Sequence, residues 1–181
     1  YTIGTEIKLH RSRKWITMAG GHVYVALTGK LLPQTVLFLS MMFGFSYYIF
    51  YVLGFPHPGG IVPIILLNIL SVLACQGFGI FAFGLMPSLR MSISVCSLWS
   101  VLSFTLSGAT YPLFSMDSFI QSVAQLFPLR HFYMIYQMCI FNGFPLTNAW
   151  FNFMALALFI ILPFFTIPNI RKAMLVYVYI P

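Results

Sequence analysis

Charge is what this chain has least of. Asp, Glu, Lys and Arg together make up 6% of its 181 residues, and only two of them, Glu6 and Asp117, are acidic. Two carboxylates so far apart supply no general acid–base pair. Cysteine is scarce as well. Cys75, Cys96 and Cys139 are odd in number, lack CxxC spacing and sit in apolar surroundings, which reads as small buried hydrophobes rather than a disulfide or a metal site. The four histidines, His10, His22, His57 and His131, form no i, i+4 pair and no HExxH, so no zinc signature is present. The glycine motifs also fall short. Gly29-Lys30 ends like a phosphate-binding loop, but Leu31 stands where Ser or Thr belongs and Tyr24 where the first Gly belongs. Gly77-Phe78-Gly79 followed by Gly84 misses the dinucleotide spacing and lies in an apolar run. Neither a catalytic residue nor a cofactor is expected.

What the chain has in abundance is apolar surface: hydrophobic residues make up 60% of it. They gather in four long runs, residues 31–53, 61–85, 92–111 and 150–167. Each run is near the roughly 20 residues that carry an α-helix across a bilayer core of about 30 Å. A single soluble core could not hide so much apolar surface, so lipid must solvate much of it. The runs must be helical, because the bilayer offers no partner to an unpaired backbone amide. The expected fold class is all-α, a polytopic membrane helical bundle.

Lysine and arginine orient the chain. Lys8, Arg11, Arg13 and Lys14 precede the first run, Lys30 stands at its mouth, Arg90 separates the second run from the third, and Arg171 and Lys172 follow the last. The loop at 54–60 has none. Positive residues favour the cytoplasmic side, so the N-terminal segment, the Arg90 loop and the C-terminal tail are expected inside. Glu6 and Asp117 then fall on opposite sides. The net charge of +7 is a topology and headgroup signal, which makes membrane lipid an expected partner. Nucleic acid is not expected, because no basic stretch outside the runs is interleaved with stacking residues.

A fifth apolar stretch, residues 119–141, tests this topology, for Pro128, Arg130 and His131 stand at its centre. As a full span it would divide the cations six inside to three outside. As a helical hairpin that dips into the outer leaflet and returns, it leaves eight of nine inside. Pro128 removes a backbone donor where the tip of a hairpin would lie. Residues 116–143 are therefore expected to form an extracytoplasmic re-entrant hairpin.

The N-terminal segment, residues 1–28, reads as a cytoplasmic interfacial or coupling segment. Between residues 5 and 24, Ile7, Trp15, Ile16 and Met18 alternate with Lys8, Arg11, Arg13 and Lys14, as in a helix lying in the interface with Trp15 at headgroup depth. Thr5-Glu6 reads as its start, an acid in the first turn complementing the helix dipole. Such a helix is either a surface anchor or a docking element for a cytoplasmic partner. Gly77, Gly79 and Gly84 are expected to let two helices approach closely. Ser94, Ser97, Ser100, Ser103 and Thr105 read as interhelical hydrogen-bond partners or as a polar stripe along a pathway. The opening Tyr1-Thr2-Ile3-Gly4 falls in mid-pattern without a cleavable signal, as in a piece of a longer protein.

Several short motifs follow one another in an order that resembles a known family. Gly4-Thr5-Glu6 opens the interfacial helix, and Gly29-Lys30-Leu31-Leu32-Pro33 enters a span. Ser107-Gly108-Ala109-Thr110-Tyr111-Pro112 is similar to a small-residue and proline ending of a membrane helix. Phe127-Pro128-Leu129-Arg130-His131-Phe132 sits in the hairpin, and Asn142-Gly143 follows it. In this order, over essentially the whole chain, they resemble the permease subunit of type 2 ABC exporters.

The resemblance implies a six-span fold in which a first span, often followed by a large extracytoplasmic domain, precedes the interfacial helix. Four full crossings follow that helix here, so the family's count is met only if one crossing is replaced by, or shared with, the hairpin region. It further implies a homo- or heterodimer of permeases around a central pathway, a separate cytoplasmic ABC ATPase, a periplasmic adaptor protein as a further partner, and residence in the bacterial cytoplasmic (inner) membrane. ATP hydrolysis then belongs to the ATPase, and this chain is a transporter subunit rather than an enzyme. By motif position Gly4, Thr5 and Glu6 correspond to the ATPase-coupling region, and Phe127, Pro128, Leu129, Arg130 and His131 to the outer-gate hairpin. Fewer acids than usual surround the coupling element. A hydrophobic or amphipathic cargo suits the scarcity of fixed charge. A non-transporting membrane scaffold or assembly factor is the alternative function.

Overall fold

The computed structural model describes residues 2–9, 11–112 and 115–175; Tyr1 and His10 of the motifs above lie outside them. Among the described residues the chain is helical and contains no strand, as an all-α bundle requires. Two short helices, α1 (Thr2–Lys8) and α2 (Ser12–Met18), lead into α3 (Val23–Tyr47), which is prolonged by a wider π turn over Tyr48–Val52. There follow α4 (Ile61–Leu85), α5 (Leu89–Thr105), α6 (Ser118–Ala124) and α7 (Pro128–Ile135), which also runs on into a π turn, Tyr136–Phe141. A 3₁₀ turn at Leu146–Ala149 opens the last helix, α8 (Trp150–Leu175). Helix α3 with its π turn, α4, and α8 with its 3₁₀ turn are each long and apolar enough to cross a membrane.

Helix α5 is shorter than its apolar run. It has 17 residues, at the lower end of what reaches across a bilayer core. It stops at Thr105 because the small residues that follow satisfy its end locally. Buried Ser107 donates its hydroxyl to Phe104 O (2.7 Å) and accepts from the Ala109 amide (3.2 Å). Gly108 then takes φ = 93°, a conformation that side chains disfavour.

The spine of the bundle is the crossing of α4 and α8. Gly77 and Gly84, seven residues apart, lie on one face of α4 and admit the backbone of α8. A Cβ at Gly77 would stand 2.3 Å from Phe159 O, and one at Gly84 2.3 Å from Thr166 Cβ. Gly79, expected to share this role, does not: nothing lies within 4 Å of where its Cβ would be. Two steps along an α-helix turn a residue by about 200°, which takes Gly79 off the α8 face.

Two apolar cores occupy the two ends of this spine. One gathers Ile3, Ile7, Ile16, Val23, Leu27 and Phe83 around Ile167, Ile170 and Met174 of α8. The other gathers Phe50, Ile64, Leu67, Ile135 and Ile140 around Leu156 and Phe159. The N-terminal segment is thus built into one end and the hairpin region into the other. Cys139 is buried in the second core, as expected. Cys75 is exposed and Cys96 half-buried, and none of the three is paired. The expectation that all three are buried therefore fails for these two, which border the cleft described below.

Candidate functional site

The N-terminal segment is two helices rather than one, and α1 begins at Thr2. This corrects the expected start at Thr5-Glu6. Tertiary packing sets the boundary: Ile3, Gly4 and Ile7 form a buried face, and a helix this short is held by its packed face more than by capping. Gly4 lies against the beginning of α5 and the end of α4. A Cβ there would stand 2.6 Å from Leu89 Cδ1 and 3.1 Å from Phe83 Cε2. Glu6, in the second turn, accepts a hydrogen bond from the Lys30 ammonium, an ion pair that ties α1 to α3. The same Lys30 Nζ stands 5.0 Å from the centroid of the Trp15 ring on α2, where the negative face of the indole attracts the cation. Ser12 Oγ donates to Met174 O at 2.9 Å, a buried bond that closes α2 onto the end of α8. Lys30, Trp15 and Ser12 thus fasten the segment from three directions. Lys8, Arg11 and Lys14 remain exposed on it.

The residues expected in a hairpin lie at the other end. Phe127 immediately precedes α7 and Pro128 takes its first position, where a proline has no amide to lose and its fixed φ suits a helix. The Phe127 ring lies 4.6 Å from Trp99 of α5, which in turn stacks on Phe78 of α4 at 4.9 Å. His131 is buried, with Nε2 2.9 Å from Gln125 O and Nδ1 2.9 Å from Asn152 Oδ1 on α8. The Gln125 carbonyl can only accept, so Nε2 carries a proton and donates. A neutral ring then accepts at Nδ1 from an Asn152 amide turned to present its N–H, and a charged ring donates at both nitrogens. Either way one imidazole locks the link between α6 and α7 to α8. Arg130, half-buried, has one guanidinium nitrogen, Nη1, without a hydrogen-bond partner.

Between these two ends, α3, α4, α5 and α7 enclose an open cleft of about 630 Å³, with α1 at its base. Pro128 and Leu129 line it, as do Ser97 and Ser100. The serine–threonine series of α5 does not form one stripe: Ser94 and Thr105 are exposed away from the cleft and Ser103 is buried. Ser94, Ser97 and Ser100 each donate to the carbonyl one turn back in their own helix. Among the described residues no three of His, Cys, Asp or Glu gather into a group able to hold a metal ion.

A bundle of apolar helices, three of them long enough to cross a membrane, that encloses a ligand-sized cleft defines a polytopic membrane domain. The particular family follows from the chain as a whole. The model of a family described as "ABC-2 family transporter protein" matches residues 2–167, and the chain belongs to that family. It is a permease subunit of an ABC transporter, and permeases of this family in general work with an ABC ATPase and a second permease. No curated protein and no solved structure matches the chain.

Proposed function

We propose that this chain is the membrane-spanning part of an ATP-driven exporter in a bacterial cytoplasmic membrane, driven by a separate ATPase that docks beneath α1 and α2. The observation that carries the reading is the fastening of that segment. It is bound to α3 by Lys30–Glu6, to α8 by Ser12–Met174 and to α5 by Gly4, while Lys8, Arg11 and Lys14 stay exposed. A segment so held transmits a push into three helices at once. Gly4, Thr5 and Glu6 form the coupling region, with Gly4 and Glu6 acting by keeping α1 in place. Phe127, Pro128, Leu129, Arg130 and His131 form the outer gate, re-entering the membrane from the far side.

Two such permeases, alike or different, face one another across a pathway, with lipid around them and a periplasmic adaptor beyond. ATP shifts this assembly only if it binds one arrangement better than the other. Moving an equilibrium from 1:99 to 99:1 takes a difference of about 5.5 kcal/mol. The test is to crosslink the full-length protein in its native membrane, purify it and identify its cytoplasmic partners by mass spectrometry. An ABC ATPase that is lost on reversing Lys8 and Lys14 to Glu supports the reading. Recovery of no ATPase, under conditions that keep other transporters assembled, would point to a scaffold instead.

A further inference from the structure

The cleft between α3, α4, α5 and α7 has a volume of about 630 Å³, within the range of small-molecule sites. Among the described residues no Asp, Glu, Lys, Arg or His lines it, and its walls carry Phe38, Phe83 and Phe132. A charged group has no counter-ion there, and burying one unpaired is costly. The occupant is therefore neutral where it enters.

One buried polar group at the cleft is left over; Gln34 and Thr2 also line it but are only half-buried. Four buried side-chain nitrogen or oxygen atoms among the described residues lack a hydrogen-bond partner, and of their residues only Gln76 lines the cleft. Gln76 stands on α4, inside an apolar run. Its Oε1 lies 2.9 Å from Thr35 Oγ of α3, whose single hydroxyl proton it shares with Leu31 O, also at 2.9 Å. With its oxygen toward Thr35 the amide leaves Nε2 unpaired. Turned the other way, one Nε2 hydrogen donates to Thr35 Oγ and the second stays free, so an unpaired N–H remains in either orientation. Ser71, Ser97 and Ser100 offer no substitute donor at the cleft wall, because each hydroxyl already donates to a carbonyl of its own helix. A buried donor without an acceptor destabilises the protein until something supplies one.

We propose that the cleft is a binding site, within a single permease subunit, for a neutral amphiphile with an acyl chain and a carbonyl oxygen. The Gln76 amide donates to that carbonyl, Thr35 orients the amide, and the aromatic walls take the chain. The inference concerns binding alone and does not depend on ATPase-coupled export.

The probe is an uncharged monoacylglycerol bearing a diazirine in its acyl chain, applied to the intact transporter in native membrane vesicles. An alkane of equal length with the same diazirine serves as comparator. Mass spectrometry after photolysis locates the adducts. The expected result is that the ester probe labels the cleft walls, such as Phe38 and Phe132, well above lipid-facing Met154 and Phe165, and that the alkane does not. Gln76→Leu lowers this labelling about three- to tenfold, the worth of one hydrogen bond, without changing labelling at Met154. Thr35→Val, which frees the amide to turn, lowers it as well and serves if Gln76→Leu does not fold. The wild-type comparison of ester with alkane needs no variant. Equal labelling by the two probes, or ester labelling that neither substitution changes, overturns the proposal. So does a cleft that neither probe reaches, because protein then fills it.

Discussion

Gly77 of α4 faces the Phe159 carbonyl of α8 so closely that a Cβ would lie 2.3 Å from the oxygen. The obstacle is backbone and cannot swing aside. Gly77→Ala should therefore push the two longest-packed helices apart, at a cost of about 1–3 kcal/mol or more. Gly79→Ala, two residues on and open to the cleft, should be close to neutral. Thermal unfolding of the two variants in detergent separates them; equal midpoints would contradict the packing described.

At Gly4 the obstacle is softer. The nearest atom to an added Cβ is the tip of the Leu89 side chain, at 2.6 Å. Gly4→Ala should cost little once Leu89 turns away, whereas Gly4→Leu should lift α1 off α5. Leu89→Ala should recover much of that loss, and a double-mutant cycle measures how much. Independent effects of the two changes would show that α1 does not rest on α5.

The Lys30–Glu6 pair has side chains 26% and 21% exposed, so solvent screens it only in part. Breaking it should cost about 1 kcal/mol. Glu6→Lys should loosen the N-terminal segment and reduce recovery of the ATPase. Adding Lys30→Glu should restore both. If the swapped pair restores stability but not ATPase recovery, Glu6 touches the partner directly.

His131→Ala removes two hydrogen bonds, to the carbonyl of exposed Gln125 and to the half-buried Asn152 amide. A loss of about 1–3 kcal/mol follows. The loss should be local, seen as faster amide hydrogen exchange through α6 and α7 with α4 unchanged. Uniform acceleration along the chain would mean that the imidazole supports the whole bundle rather than the hairpin link.

Much of this architecture was legible because charge is so rare that each apolar run stands out. Pro128 marked the break before α7, since no other position in that run loses its amide. Helix α5 ends six residues before its apolar run does: apolar content continues to Tyr111, but the Ser107 hydroxyl and Gly108 turn the chain out of the helix earlier. The start of α1 escapes the sequence for a different reason: its boundary depends on Phe83 and Leu89, far along the chain, and no local motif reports them. Gly77 and Gly84 could have been told from Gly79 by their seven-residue spacing, which returns to one face after two turns. The cleft was hidden because α3 and α4 are apolar all round. Gln34 and Gln76, amides inside such runs, are the available signs, and Gln76 carries weight only once Thr35 is seen beside it. Asn152 likewise gave no hint of its bond to His131.

Helix α8 has its two ends fixed to different things. Near its beginning Asn152 holds His131, and near its end Met174 O holds Ser12. Between them Pro163 and Pro168 each remove a rung of the helical ladder. Mechanically this is a rod with a weakened stretch set off-centre, closer to the α2 attachment than to the histidine. A swing of α2 is therefore taken up partly as bending at the prolines, and the two ends of α8 can move with some independence of one another.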